Sequence, residues 1–365
     1  MDRYYFTSES VTEGHPDKIC DRIADTILDF SLKEDKESKM AVEATIKDDL
    51  IFIYGEASTS AKIDYAEVAK NVLKEIGYKE NYNVIVKVTE QSPEINNAVN
   101  KNGTNIGAGD QGIMFGYACD ETEDYMPASI YYAHKLAKKL SEAQKKYDIL
   151  GPDGKTQVTV EYCNDKINKI DTIIISTQHV KDIEKKVLEE LIYEEVIHPI
   201  VPVDLIKNDT KILINPSGSF VLGGSFGDSG TTGRKIVCDS YGGYGRVGGG
   251  CFSSKDPSKV DRSGAYYCRY VAKNIVANGL ANKCEIQIAY AIGKSKPISI
   301  FIDTFGTSKF SNEKIRKIIT DNFDFEVYKM IDELDLKKPV YASTSCYGHF
   351  GRKEFTWEKI KKLKF

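Results

Sequence analysis

Apolar positions along the chain alternate between a helical and a strand-like period. Over residues 16–31, Ile19, Ile23, Ala24, Ile27 and Leu28 fall at helical spacing. Pro16 stands where a first helical turn favours proline. "MAVEATIK" and "LIFIYGEAS" follow as β-branched, partly alternating runs. The helical pattern "DYAEVAKNVLKEIG" comes next, with Gly77 suited to a C-cap. The same succession then returns twice. A helix near 127–145 precedes "TQVTVEY" and "IDTIIISTQH", and "KDIEKKVLEELIYEEV" closes that unit. A helix near 262–280 precedes "CEIQIAYAIG" and "PISIFIDTFG", closed by "NEKIRKIITDNF". Helix, strand pair and helix, three times over, predict an α/β chain of the α+β type. Three related domains are expected, each a β-sheet with helices on one face. A solenoid is disfavoured because its repeats are shorter. The units divide at 1–100, 106–222 and 224–365, with termini and linkers expected to interleave in space.

Two features interrupt this pattern. "PEINNAVNKNGTNIG", residues 93–107, is rich in Asn and Gly and reads either as a lid over a site or as a surface linker. "GAGDQG" at 107–112 is echoed by "FGDSG" at 226–230, although Gly-Asp turns are common in their own right. The final "KIKKLKF" reads as a solvated, charged end.

The entrance to the first helix carries His15, Asp17 and Lys18 around Pro16. Such a cluster is either a capped surface helix or a phosphate and metal site, because helix N-termini attract anions.

At 365 residues the chain exceeds one typical core. A net charge of −4 does not favour non-specific nucleic-acid binding. No apolar run has the length of a membrane helix, and "MDRYYFTSES" has no signal-peptide character. The eight cysteines form no CxxC pair and no zinc spacing with histidine, so reduced thiols in a cytoplasmic protein are expected.

Residues 214–265 are the most unusual stretch: 13 of the chain's 28 glycines lie there. Arg234, Lys235, Arg246, Lys255, Lys259 and Arg262 are interleaved with Asp228, Asp239, Asp256 and Asp261. Glycine lets backbone approach a ligand, Arg and Lys donate to phosphate oxygens, and aspartates hold Mg²⁺. The combination suggests a polyphosphate bound with metal. No Walker A loop is present, and the stretch is not a G-x-G-x-x-G standing ahead of a dinucleotide-binding fold. A loop that merely connects domains would gain nothing from dense paired charges.

"FTSESVTEGHPDK", "GAGDQGIMFGYA", "PDGKTQV", "GRKIVCDSYGG", "KDPSKVDRSGAY" and "YGHFGR", in that order from residue 6 to residue 352, resemble the signatures of the S-adenosylmethionine synthetases. The resemblance covers essentially the whole chain. It implies three domains about a pseudo-threefold axis and a homodimer or homotetramer with active sites between subunits. It also implies ATP and L-methionine as substrates, two Mg²⁺ and one K⁺ per site, and no nucleic-acid or membrane partner. In the implied reaction methionine sulfur attacks ribose C5′, the whole triphosphate leaves, and the triphosphate is then hydrolysed to pyrophosphate and phosphate. A thioether has no proton to lose, so positioning and anion stabilisation are the chemical demands.

Roles carry over residue by residue. His15 lies near the departing oxygen as donor or acid, and Asp17 and Asp261 hold Mg²⁺. Lys155, Arg234, Lys235 and Lys255 contact the triphosphate. Asp153 and Asp110 contact ATP, Phe220 stacks on adenine with Ser219 beside it, and Cys251 lies in the ATP loop. Glu56, Gln91 and Lys259 reach methionine, Asp228 touches both substrates, and Glu43 binds K⁺. The segment 93–107 matches the family's gating loop. His134 and His198 are expected to be structural, and His349 receives no chemistry. Three positions depart from the family: Ser219 replaces arginine, Cys251 replaces alanine and Ser254 replaces glycine, while Ser229 stands where cysteine or alanine is common. A positive φ at Ser254 would strain it, and oxidation or alkylation of Cys251 is expected to block ATP binding. The alternatives are a catalytically silent ATP-binding homologue and a different ATP enzyme, a kinase or NTPase; the first would have lost charged site residues, and His15, Asp17, Lys155, Lys255 and Asp261 are all in place.

Overall fold

A computed structural model describes residues 2–90, 100–101 and 105–365. In chain order the strands are β1 (Arg3–Val11), β2 (Lys39–Lys47), β3 (Leu50–Ser58), β4 (Asn83–Thr89), β5 (Asn100–Lys101), β6 (Asn105–Ile106) and β7 (Gly112–Cys119). They continue with β8 (Leu150–Cys163), β9 (Lys166–His179), β10 (Lys211–Ile214), β11 (Gly230–Thr231), β12 (Lys283–Tyr290) and β13 (Ser299–Asp303). The helices are α1 (Pro16–Glu34), α2 (Tyr65–Ile76), α3 (Ala128–Lys146), α4 (Lys185–Ile192), α5 (Gly224–Gly227), α6 (Ile236–Asp239), α7 (Val260–Ala277), α8 (Asn312–Asn322) and α9 (Val327–Glu333).

Apart from the β5–β6 hairpin, these strands form three sheets built to one plan. Each is founded on an antiparallel pair: β2–β3, β8–β9 and β12–β13. In the first two, a third strand joins the pair in parallel, β4 beside β3 and β10 beside β9. The other edge of every sheet is completed by an antiparallel strand from a distant part of the chain: β11 on β2, β1 on β8 and β7 on β12. Each sheet is covered on one face by helices, principally α1, α3 and α7.

The apolar stripe of α1, Ile19, Ile23 and Ile27, is fully buried against β2, whose alternate residues Met40, Val42, Ala44 and Ile46 face it. Gly77 closes α2 in the left-handed conformation at φ 118°, as a C-cap glycine does. Helix α4 is shorter than the 181–196 pattern suggests and passes into a wider turn over Tyr193–Ile197. The strand character of β1, β4 and β7 goes beyond the strand pairs visible in the sequence.

The C-terminal tail is not a solvated end. Leu363 is buried, and the side chains of Asn274 on α7, of Asn278 at its C-cap and of Asn322 on α8 bond the tail backbone at Lys361, Leu363 and Lys364. Asparagine amides supply donors and acceptors that an extended segment ordinarily finds in a neighbouring strand.

Candidate active site

The entrance to α1 is a side-chain-capped helix end. His15 is the N-cap residue, and its Nδ1 accepts the Asp17 N–H at 3.2 Å. Burial, reinforced by the nearby Lys235 ammonium, pulls the imidazole down to about 3, so the ring is neutral. With Nδ1 accepting, the proton sits on Nε2. His15 is thereby a hydrogen-bond donor and not a charged acid.

Asp17, the next turn residue, is 1% exposed. It accepts the Thr231 N–H at 3.0 Å, pairs with Lys235 Nζ and lies 3.6 Å from Arg234 Nε. Burial works to raise this carboxyl, but the Lys235 and Thr231 hydrogen bonds outweigh it and hold the group below its usual range. The "GRK" segment thus folds directly over the positive end of α1. Gly230 makes that approach possible: a Cβ there would lie 2.1 Å from the Pro16 carbonyl oxygen.

A second group forms around the start of α7. Lys255 Nζ pairs with Asp261 Oδ2 at 2.6 Å, and a Cβ on Gly250 would stand 2.2 Å from the Asp261 carboxyl carbon. Cys251 links the two groups, since its Sγ packs where a Gly233 Cβ would fall, at 2.8 Å. Burial pushes the Cys251 thiol up to about 11. The sulfur is therefore held as the thiol at neutral pH.

The remaining expected residues are more dispersed. Lys155 lies on β8 opposite Val11, half-exposed, with Glu9 at 3.4 Å. Asp153 is buried and accepts the Gly224 N–H at 2.8 Å, with burial lifting it to about 6. Its carboxylate is bonded to the backbone of the glycine loop, where the expected ATP contact would also have to be made. Phe220 is half-buried and exchanges backbone and ring bonds with His179, while Ser219, Asp228 and Asp110 are exposed. Glu43 faces Tyr54 across β2–β3 and accepts its hydroxyl at 3.3 Å, and Glu56 is exposed on β3. Lys259 pairs with the buried Asp256. Gln91 and most of the 93–107 segment lie outside the described residues.

Among the described residues there is no group of three or more His, Cys, Asp or Glu side chains arranged to hold a metal. Asp17 and Asp261 are instead single carboxylates, each beside a lysine. That donor set fits Mg²⁺, which takes one or two carboxylates and completes its shell with water and phosphate.

Sequence reasoning missed a buried ionic system behind the site. Lys18 is fully buried between Asp21, at 2.9 Å, and Asp239. Arg262 is fully buried and bidentate on Asp25 at 2.8 and 2.7 Å. His349 bonds Tyr266 at 2.7 Å, and His134 bonds Ser10 at 2.8 Å. His198 is exposed beside Tyr193. The signal for this system was present: Asp17, Asp21, Asp25 and Asp29 recur every fourth residue on a helix whose other residues already supply an apolar face.

Three family models match the chain in succession. They are described as S-adenosylmethionine synthetase N-terminal domain over residues 3–102, central domain over 105–220 and C-terminal domain over 222–359. An S-adenosylmethionine synthase from Sorangium cellulosum (strain So ce56) is 49% identical over 373 aligned residues, covering 98% of this chain and 88% of that protein.

Proposed function

The chain belongs to the S-adenosylmethionine synthetase family, and from that premise we propose how its residues make S-adenosylmethionine from ATP and methionine. A sulfur lone pair of methionine forms the bond to ribose C5′ as the C5′–O bond breaks. Triphosphate leaves with the electron pair, and the product is a sulfonium. No proton is abstracted, so the residues' work is alignment and stabilisation of the departing anion.

The observation that carries this assignment is the convergence of His15, Asp17, Arg234 and Lys235 at the N-terminus of α1. The helix end, the two cations and the His15 Nε2–H all present positive or donor character to one place. Neutral His15 donates to the departing oxygen. Arg234, Lys235, Lys155 and Lys255 bind the triphosphate. Asp17 and Asp261 would hold two Mg²⁺, which would supply neutralisation of phosphate charge. The lysines now paired with these aspartates turn to phosphate oxygens in that complex. Glu43, with the Tyr54 hydroxyl, holds K⁺. Glu56, Gln91 and Lys259 bind methionine, Asp228 both substrates, and Asp110 and Phe220 the nucleoside.

A homodimer or homotetramer with active sites between subunits follows from the same reading. The sheet faces without helices expose Tyr5, Ile113 and Phe301, a surface that favours burial against another chain. Glu43 and Glu56 point to an uncovered face as well.

Incubation with ATP, methionine, Mg²⁺ and K⁺ tests the function. Equimolar S-adenosylmethionine, pyrophosphate and phosphate are expected; ADP, or triphosphate without S-adenosylmethionine, would refute it.

A further inference from the structure

Helix α1 carries Asp17, Asp21, Asp25 and Asp29 at four-residue intervals, each at most 7% exposed, with Asp21 and Asp25 wholly buried. Every one accepts a backbone N–H from the stretch between residues 231 and 342. Asp17 takes Thr231, Asp21 takes Gly233 at 2.8 Å, Asp25 takes Ser254 at 3.1 Å, and Asp29 takes Tyr341 and Ala342 at 2.9 Å. Aspartate is a poor helix former, and a buried ion pair is seldom more stabilising than well-packed apolar residues. The stripe is thus better suited to fixing backbone than to stabilising the core.

The backbone it fixes bears the cations. Gly233 precedes Arg234 and Lys235, and Lys18 ties Asp21 to Asp239, so the 233–239 segment is held to α1 at both ends. Around Lys255 the restraint is two-sided. Asp25 accepts the N–H of Ser254, and Arg262, bidentate on Asp25, donates to the Lys255 carbonyl at 3.1 Å. Ser254 has φ 79°, a left-handed conformation that a residue with a Cβ keeps only under restraint.

We propose that Asp21 and Asp25 are positioning residues for the triphosphate-binding cations. Asp21, with Lys18 and Asp239, sets Arg234 and Lys235, and Asp25, with Arg262, sets Lys255. One helix thereby registers two distant cation-bearing segments against its own N-terminus. The proposal rests on the reading of those cations as triphosphate ligands.

Crossed double-mutant cycles on the full-length enzyme test it, read as kcat/KM for ATP at saturating methionine. Asp21→Ala is expected to lower kcat/KM about 10- to 100-fold, in the range set by loss of one preorganised donor or less. Adding it to Arg234→Met should cost less than about threefold more, because residues acting through one another are non-additive. Adding it to Lys255→Met should multiply in full. Asp25→Asn should show the reverse pattern, non-additive with Lys255→Met and multiplicative with Arg234→Met. Asp21→Asn keeps an acceptor for Gly233 and leaves Lys18 paired with Asp239, so it should recover most of the loss and carries the test if Asp25→Asn does not fold. Equal multiplication with both cations would overturn the positioning role while leaving the cation reading intact. Wild-type rates in Arg234→Met and Lys255→Met would overturn the cation reading, and the proposal with it.

Discussion

The Asp25 carboxylate and the Ser254 amide, 229 residues apart in sequence, meet in a buried 3.1 Å hydrogen bond beneath the loop that ends in Lys255. The bond holds Ser254 at φ 79°. Glycine would adopt this conformation without steric cost. The Ser254 hydroxyl is buried and has no hydrogen-bond partner among the described residues.

Ser254→Gly is therefore expected to stabilise the enzyme. Relief of the left-handed strain and removal of an unpaired buried hydroxyl together outweigh the greater freedom of glycine in the unfolded chain, by about 1 kcal/mol. Denaturant unfolding followed by far-UV circular dichroism measures it. A Ser254→Gly midpoint below that of wild type would show that the serine is supported by contacts this account does not include.

Lys155→Met should lower turnover about 10²–10³-fold, as for loss of one preorganised donor to a developing anion. Asp17→Asn should move the Mg²⁺ titration of activity to higher concentration, because an amide is a weaker ligand for a hard cation. Steady-state rates across a Mg²⁺ series check both. An unchanged titration in Asp17→Asn would assign the metal to another carboxylate.

The sequence made a large part of this arrangement legible. The strand pairs β2–β3, β8–β9 and β12–β13 and the long helices α1, α3 and α7 announce themselves because their apolar period is regular and recurs three times. The edge strands do not. In β1, Ser8 and Ser10 are buried by bonding Ser129 and His134, so inward positions look polar. Strand β11 is two residues long and has no period to read. The aspartate stripe on α1 was visible as spacing, yet aspartate in a helix ordinarily marks the solvent side. Only the facing amides of residues 231, 233 and 254 reveal that this side is the interior. The tail residues of "KIKKLKF" misled for a related reason: the lysine run reads as solvated, yet Lys361 pairs with Glu333 while Leu363 and the backbone are captured by asparagines.

His134 gives the protein a pH-dependent stability. Burial pulls its pKa from 6.5 down to about 3, so the folded chain keeps it neutral where the unfolded chain takes up a proton. Its contribution to stability is complete above the unfolded value and is lost as pH falls from 6.5 toward 3. Asp29 and Asp153 act in the opposite direction, since burial raises each to about 6 and the folded chain gains their protons first. The difference between wild type and His134→Gln isolates the histidine. Between pH 6.5 and 5 wild type should lose about 2 kcal/mol relative to the variant, at ~1.4 kcal/mol per pH unit. Denaturation midpoints across that range measure the gap, and a gap independent of pH would contradict the neutral, buried histidine.

The site is built to let a whole triphosphate depart from carbon, and the bond that breaks reports on that directly. ATP labelled with ¹⁸O at the bridging oxygen between C5′ and Pα, incubated with the enzyme, methionine, Mg²⁺ and K⁺, should deliver all of its label to the pyrophosphate and phosphate pool as S-adenosylmethionine forms. Label retained on a nucleoside product would place the cleavage at phosphorus and contradict attack at C5′.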